Sequence, residues 1–473
     1  MVTPNEMKQS LLRVVLFLLL SQVAASATNL STIFSQDCDE WDPKSVLVLP
    51  EDAAFDGVTE RWTIIAGPTF AGVFRPANEA DLVKTVQLAR KHKLPFLATG
   101  GRHGFSTTLD ALDQGLEIDL SQLNEVSIDS EKATLTIGAG VTIGEILDPI
   151  YEAGFEMQQG TCSCPGQLGV TLGGGIGRFT GKYGLQIDAL LSVRLVTADG
   201  RLLHVSDTSH PDLFWAIRGA GQNFGIVASA TYQLRRIADS PEDRGEVMLV
   251  DLILPPNMST TYFELLESYH VDGSLPANLA QITSMGWDTS FNSPHVLGNW
   301  VFFGSEEEGR KALAPVYALN APIISTTMVP WNKILASQGF GQFDAALCQA
   351  GQSIDYYGVT FRNLSAPTFQ TVFDNLTEIY NTFPDTRGST IQIETFSNKA
   401  QMAIPDSSTA YPYRDAWGHM LVSCADKGAD SVTAAPWFSP GTTRPGGRLL
   451  LERGLSFETH LRRRQATMGL HAT

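Results

Sequence analysis

Gln159-Gly160-Thr161-Cys162-Ser163-Cys164-Pro165-Gly166-Gln167-Leu168-Gly169-Val170-Thr171-Leu172-Gly173-Gly174-Gly175-Ile176-Gly177 is the stretch on which the reading of this chain turns. It holds seven glycines. Each glycine costs backbone entropy on folding, so packing alone does not account for so many. Glycine permits positive φ and close approach of another backbone or a ligand. Successive free N–H groups in such a loop form a concave donor site suited to a pyrophosphate. Gly166, Gly169, Gly173, Gly174, Gly175 and Gly177 are therefore candidate ligand contacts, and a glycine-rich structural turn is the plainer alternative. Cys162 and Cys164 stand at the entrance, where a soft nucleophile could meet the ligand. A dinucleotide fingerprint fits poorly. The run follows Cys-Pro-Gly rather than a strand, and no acidic residue has the required context.

Two further glycine turns flank this one. Leu94 to Ala98 reads as a buried strand ending in Thr99-Gly100-Gly101-Arg102-His103-Gly104-Phe105-Ser106, with a histidine at the tip. Gly219-Ala220-Gly221-Gln222-Asn223-Phe224-Gly225 precedes a strand from Ile226 to Leu234. Ahead of the first, Val73 to Pro76 predicts a strand into a turn, and Asn78 predicts the cap of a helix with Leu82, Val83, Val86 and Ala89 on one face. Leu116 to Leu120 and Ala133 to Ile137 alternate as half-exposed strands, and Thr142 opens another helix. Leu190 to Val196 and Leu202 to Val205 predict a hairpin about Thr197-Ala198-Asp199-Gly200. Three glycine loops among regular elements make one shared ligand site more plausible than three unrelated turns.

Residues 1–27 read as a secretory signal. Lys8 and Arg13 supply positive charge, Val14 to Leu20 is apolar, and Ala25-Ser26-Ala27 is a small-x-small cleavage site. The apolar run is far short of the ~20 residues needed to cross a bilayer, and an N-terminal anchor is the alternative. Secretion agrees with the sequons at Asn29, Asn257, Asn363 and Asn375. Net charge is −17; loss of Lys8 and Arg13 with Glu6 leaves −18. Such a surface disfavours nucleic acid or an anionic membrane as partner. A soluble monomer is expected. Of the five cysteines, Cys38, Cys162, Cys164, Cys348 and Cys424, an odd number leaves at least one thiol outside disulfides. Cys162 and Cys164 are too close in sequence to suggest an ordinary mutual bridge. Cys-x-Cys without further pairs is poor zinc spacing, so no metal is expected.

Four pieces in order resemble the flavoproteins of the vanillyl-alcohol-oxidase/para-cresol-methylhydroxylase (PCMH) type. They are most similar to the berberine-bridge-enzyme-like, oxygen-dependent FAD-linked oxidoreductases of fungi. The pieces are Arg75-Pro76-x-x-x-x-Asp81-Leu82, Gly100 to Gly104, Cys162 to Gly177, and Pro211-Asp212-Leu213-Phe214-Trp215-Ala216-Ile217-Arg218-Gly219 through Val227. The resemblance implies an α+β fold. Residues 28–240 would form a PCMH-type two-subdomain FAD-binding domain, with FAD against Gly225, Ile226, Val227 and the other glycine loops. Residues 241–430 would form a substrate domain with an antiparallel sheet backed by helices. It implies covalent FAD through His103, matching the histidine that relatives bond to the 8α carbon of the flavin. Cys162 matches the cysteine bonded to C6 in the bicovalent branch; a merely buried cysteine is the alternative. Cys164 matches no such role and is taken as a packed thiol.

Ala410-Tyr411-Pro412-Tyr413-Arg414-Asp415 resembles the aromatic-Pro-His/Tyr-Arg strand that faces the flavin in relatives. Tyr413 and Arg414 are thus candidates to hold or deprotonate substrate, with packing as the alternative. Phe105 replaces the tyrosine that plant relatives carry two residues after the tethered histidine. Residues 431–473 lack the Tyr-x-Asn-Tyr segment and helix of the family, and their polar, Pro- and Gly-containing text predicts a poorly ordered tail that does not complete the active site. The implied function is a secreted oxidase. It would take a hydride from a small organic molecule, in secondary metabolism, with dioxygen as acceptor. A carbohydrate or alcohol oxidase is the nearest variant. A flavin-binding protein inactivated by its altered C-terminus is the reading from another class.

Overall fold

The computed structural model describes residues 30–36, 40–237, 245–271 and 275–425. The expected signal (1–27), Asn29, the expected domain boundary at 240/241 and the expected tail (431–473) lie outside the described residues. The architecture is α+β, as expected. The strands up to Arg236 form two sheets and one short pair, and those from Glu246 onward form a third sheet.

The first sheet orders Val46–Val48, Phe70–Arg75, Gly115–Asp119 and Phe96–Thr99. Phe70–Arg75 feeds the helix Glu79–His92, which returns the chain to Phe96–Thr99; both strands run parallel to Gly115–Asp119. The helix starts where Asn78 accepts a hydrogen bond from the Asp81 N–H. Glu79 and Asp81 lie in its first turn and Arg90, Lys91 and His92 in its last, each favoured by the helix dipole. Two expectations about this sheet are corrected. Gly115–Asp119 is buried along its whole length, because it is a central strand and its Glu117 and Asp119 face arginines instead of water. Phe96–Thr99 is the partly open one, because it lines a cavity.

The second sheet orders Val126–Asp129, Thr134–Gly138, Ile226–Gln233, Leu190–Val196 and Leu202–Ser206, all antiparallel. Thr134–Gly138 buries Leu135 and Ile137 and exposes Thr136, the expected alternation. Helix Ile143–Glu152 begins in a capping box of Thr142 and Glu145.

The third sheet orders Ile323–Pro330, Glu246–Leu254, Ser293–Phe303, Leu279–Asp288, Thr390–Phe396, Gly418–Ala425 and Ile354–Phe361, antiparallel throughout. Glu246–Leu254 is apolar at nearly every position because both of its faces are covered. Val247 and Leu249 pack toward the first two sheets. Met248, Val250 and Leu252 pack beneath helices Ser259–Ser268 and Ala366–Thr382, where Phe263 meets Phe369 and Phe373. Asp251 interrupts the run. It points to the first face, where it accepts from Asn299 Nδ2 at 2.6 Å and from the Gly339 and Phe340 N–H groups at 3.1 and 2.8 Å.

Ala410–Asp415 is not a strand. Its side chains brace the joint between the parts of the molecule, with Tyr411 packed on Leu185 and Ile187. Among the described residues, no helix is long and apolar enough to cross a membrane.

Candidate functional site

The three glycine loops and the third sheet enclose one cavity of about 790 Å³. That lies within the roughly 300–1,000 Å³ typical of ligand sites. Gly100, Gly101, Arg102, His103 and Gly104 line it from the first loop, Cys162, Gly166 and Gly169 from the second, and Gly225, Ile226 and Val227 from the third. The first two loops touch through backbone: a Cβ on Gly101 would stand 2.4 Å from the Gly166 nitrogen. A Cβ on Gly169 would meet nothing within 4 Å, since it would project into open space. Gly225 has φ of 145°, and a Cβ there would strike the Val196 carbonyl oxygen at 2.4 Å.

The rest of the glycine run has another purpose. Gly173, Gly174, Gly175 and Gly177 do not line the cavity. A Cβ on Gly174 (φ 128°) would stand 2.7 Å from the Tyr411 ring, and one on Gly175 (φ 75°) 2.3 Å from Gln186. A Cβ on Gly177 would lie 1.8 Å from the Gln159 carbonyl oxygen. Gly174, Gly175 and Gly177 serve close packing and Gly173 has no close neighbour, and none of the four takes the expected place on the cavity wall.

Arg102 adopts φ of 55°, in the left-handed region, and its side chain lies against the acids of Gly115–Asp119. There it pairs with Glu117 at 2.9 Å and Asp119 at 3.0 Å. Asp119 also meets Arg75 at 2.9 Å, and Glu117 accepts from the Thr99 hydroxyl at 2.5 Å. This buried cluster fixes the loop that carries His103. The imidazole stacks on Trp62 with ring centroids 5.3 Å apart. Burial, then the nearby Arg61 charge, pushes its pKa down from 6.5 to about 4. At neutral pH it is an uncharged imidazole with a free lone pair, the form able to act as nucleophile. Arg61 is itself buried; Nη2 donates to the Gly104 carbonyl at 3.1 Å and Nη1 has no hydrogen-bond partner.

Cys162 is half-buried on the cavity wall, and burial raises its thiol from 9.0 to about 12. Cys164 is not a packed free thiol: it forms a disulfide with Cys348, 184 residues away in sequence. The three sulfurs lie within 4.8 Å of one another. The disulfide commits two of them and leaves Cys162 with its thiol.

From the third sheet, Thr390 and Gln392 of one strand, Leu421 and Ser423 of the next and Tyr356 of the edge strand complete the wall. Behind it lies Glu394, buried, accepting from the Thr161 hydroxyl at 2.8 Å and from Gln392 Nε2 at 2.9 Å. Burial raises its pKa above 4.5, with the Thr161 bond and the Arg178 charge opposing. Arg178 is fully enclosed and donates to Gln338 Oε1 at 2.6 Å; Gln338 in turn donates to the Thr161 carbonyl at 2.9 Å.

Neither Tyr413 nor Arg414 lines the cavity. Tyr413 is 43% exposed, and Arg414 is buried against Asp188. For Arg414 the expected substrate contact is corrected to a structural one, and Tyr413 stands outside the cavity. Arg61, Trp62, Tyr356, Gln392 and Glu394 escaped the sequence reading because only sheet pairing and long-range contacts bring them to the loops. Glu394 alone left a signal, as the one acid in the apolar text Thr390-Ile391-Gln392-Ile393-Glu394-Thr395-Phe396.

Residues 70–206 match the FAD binding domain family. The chain is 42% identical over 413 residues to FAD-linked oxidoreductase fogF of Aspergillus ruber, covering 87% of this chain and 82% of that one. It is also 42% identical over 395 residues to an FAD-linked oxidoreductase of Pyricularia oryzae, covering 83% and 76%. The fold matches xylooligosaccharide oxidase from Myceliophthora thermophila C1 in complex with xylobiose, with TM-score 0.69, 23% identity and 81% of each chain covered. It also matches Physcomitrella patens BBE-like 1, with TM-score 0.73, 17% identity and 86% of each chain covered. A cavity walled by glycine loops, His103 and Cys162 thus belongs to an FAD-dependent oxidoreductase of the vanillyl-alcohol-oxidase/berberine-bridge-enzyme-like fold. The chain is a member of the FAD-linked oxidoreductases represented by these fungal relatives. The residues present suit FAD: close backbone loops for its phosphates, and Gly169 open toward the space where a side chain would intrude.

Proposed function

We propose that the protein is a secreted oxidase of fungal secondary metabolism that oxidises a small organic alcohol or similarly activated C–H bond, with dioxygen as acceptor. The observation that carries this reading is the placement of His103 and Cys162 on the walls of one 790 Å³ cavity shared with the third sheet. Bound FAD supplies the hydride acceptor. The substrate gives up a hydride and a proton, and dioxygen takes two electrons and two protons as hydrogen peroxide.

His103, as neutral imidazole, would hold FAD covalently, and Cys162 would be the second point of attachment. Burial, with the Arg61 charge beside it, keeps His103 uncharged. The rings of Trp62, Phe105 and Tyr356 make a continuous aromatic wall, with centroids 4.8 Å apart for Trp62 and Tyr356 and 5.5 Å for Phe105 and Tyr356. They exclude water and present flat apolar surface. Glu394, its pKa raised by burial, receives the substrate proton through the Thr161 hydroxyl. Gln392 orients the substrate oxygen.

Anaerobic titration of the yellow protein with an aromatic alcohol should bleach the visible band, and readmitted air should restore it with one equivalent of peroxide. Absence of bleaching by any alcohol sinks this reading. A second reading, a carbohydrate oxidase, is favoured by the solved structures of oligosaccharide oxidases that share the fold. Bleaching by xylobiose instead would select it.

A further inference from the structure

Both residues proposed to carry FAD are fastened to the same few residues of the third-sheet half of the molecule. Helix Phe343–Leu347 ends at Cys348. Asp344 accepts from the Ser163 N–H at 2.8 Å and from the Ser163 hydroxyl at 2.6 Å. Cys348 is bonded to Cys164. Cys162 is therefore pinned on its C-terminal side at two consecutive residues. The Leu347 carbonyl accepts from Trp62 Nε1 at 2.7 Å, and Trp62 is the ring stacked on His103. Backbone bonds extend the seam: Gly351 N to Arg61 O at 2.8 Å, Gln352 N to Trp62 O at 2.9 Å and Ile64 N to Gln352 O at 3.0 Å. Trp62 N also reaches the Arg102 carbonyl at 3.3 Å, one residue from His103.

We infer that the segment Phe343–Cys348 is a clamp that positions both flavin-attachment residues, His103 through Trp62 and Cys162 through Ser163 and Cys164. It rests on the covalent attachment proposed above and adds which residues make it possible. Attachment would replace a flavin C–H bond with a bond to the side chain, the electron pair and protons passing to the flavin and from it to dioxygen as peroxide, and misplacement by about 1 Å lowers such rates by roughly 10²-fold. Two nucleophiles on separate loops must address one ring, and a single clamp sets them in one frame. The disulfide has a second consequence. It occupies the two sulfurs that lie within 4.8 Å of Cys162. If Cys164 alone were removed, the Cys348 thiol would be left beside Cys162. Their oxidative pairing, with an external disulfide as acceptor of the two electrons, would take Cys162 away from the cofactor.

The test compares full-length wild type with Cys164→Ser/Cys348→Ser, Cys164→Ser, Asp344→Asn and Trp62→Phe, each purified with FAD present. Peptide mass spectrometry reads flavin attached at His103 and at Cys162 separately, and thermal unfolding gives the folded fraction. The clamp predicts that the double serine variant and Asp344→Asn lose attachment at Cys162 by about tenfold while keeping it at His103. It predicts a Cys162–Cys348 bridge in Cys164→Ser. Trp62→Phe, which keeps a ring but loses the Leu347 bond, should slow attachment at His103. If the double variant is too unstable to purify, Asp344→Asn and Trp62→Phe decide the matter. Wild-type attachment at both sites in folded variants overturns the clamp. Wild type carrying flavin on His103 alone also overturns it, while leaving the histidyl attachment standing. Wild type with no covalent flavin overturns both readings.

Discussion

The Arg414 guanidinium and the Asp188 carboxylate meet through two hydrogen bonds, 2.7 Å from Nη2 to Oδ1 and 3.1 Å from Nη1 to Oδ2. Both side chains are almost wholly removed from water, at 1% and 4% exposure. Arg414 lies just before the strand Gly418–Ala425, and Asp188 lies in the short helix Gln186–Ala189 beneath the glycine run. Their pair, with Tyr411 against Gly174, locks the two halves of the molecule together.

Arg414→Ala should therefore destabilise the fold by about 3–5 kcal/mol, because it leaves Asp188 buried without its partner. Arg414→Met with Asp188→Leu should recover most of that loss. Thermal or urea unfolding measures both. A single variant as stable as wild type would show that the pair does not hold the joint.

Removing the nucleophiles separates tether from pocket. Acid-precipitated wild type should stay yellow. His103→Ala should retain flavin only through Cys162, and His103→Ala with Cys162→Ser should give a colourless pellet. A colourless wild-type pellet contradicts covalent attachment.

Stability should fall on acidification. His270 and His419 are each held at about 4 in the fold by burial, against 6.5 unfolded. Between these values the unfolded chain binds more protons. The contribution is complete above about pH 6.5 and is lost as pH falls toward 4. Urea midpoints at pH 7 and pH 5 check this, and equal midpoints count against it.

Glu394→Gln preserves an acceptor for Thr161 but not a base. Flavin content should be unchanged while the anaerobic bleaching rate drops by roughly 10²-fold or more. Loss of bound flavin with no change in the rate per flavin would assign Glu394 to structure instead.

Secretion and glycosylation should show in the mature protein. N-terminal sequencing should begin near residue 28, and Met1 at the start would contradict cleavage. Asn257 and Asn363 are exposed, whereas Asn375 is half-buried on helix Ala366–Thr382. Deglycosylation should therefore lower the mass mainly through the first two sites.

The amino-acid sequence by itself determined the local elements and the identity of the loops. Asn78 and Thr142 set helix starts by capping, and the apolar alternation of Thr134–Gly138 placed a strand. The glycine loops with His103 and Cys162 were legible because their chemistry is contiguous in the chain. Tertiary structure decided which glycines face the cavity. Gly169 and Gly174 look alike in sequence, but only the fold sets one toward open space and the other against Tyr411. It also decided that Arg414 meets Asp188 rather than substrate, that Cys164 joins Cys348, and that Glu394 stands behind Thr161. Each of these contacts spans well over 100 residues. Local propensity and periodicity carry no information over such distances. A buried charge takes whichever partner the packed elements bring to it, because leaving it unpaired costs more than any local preference supplies.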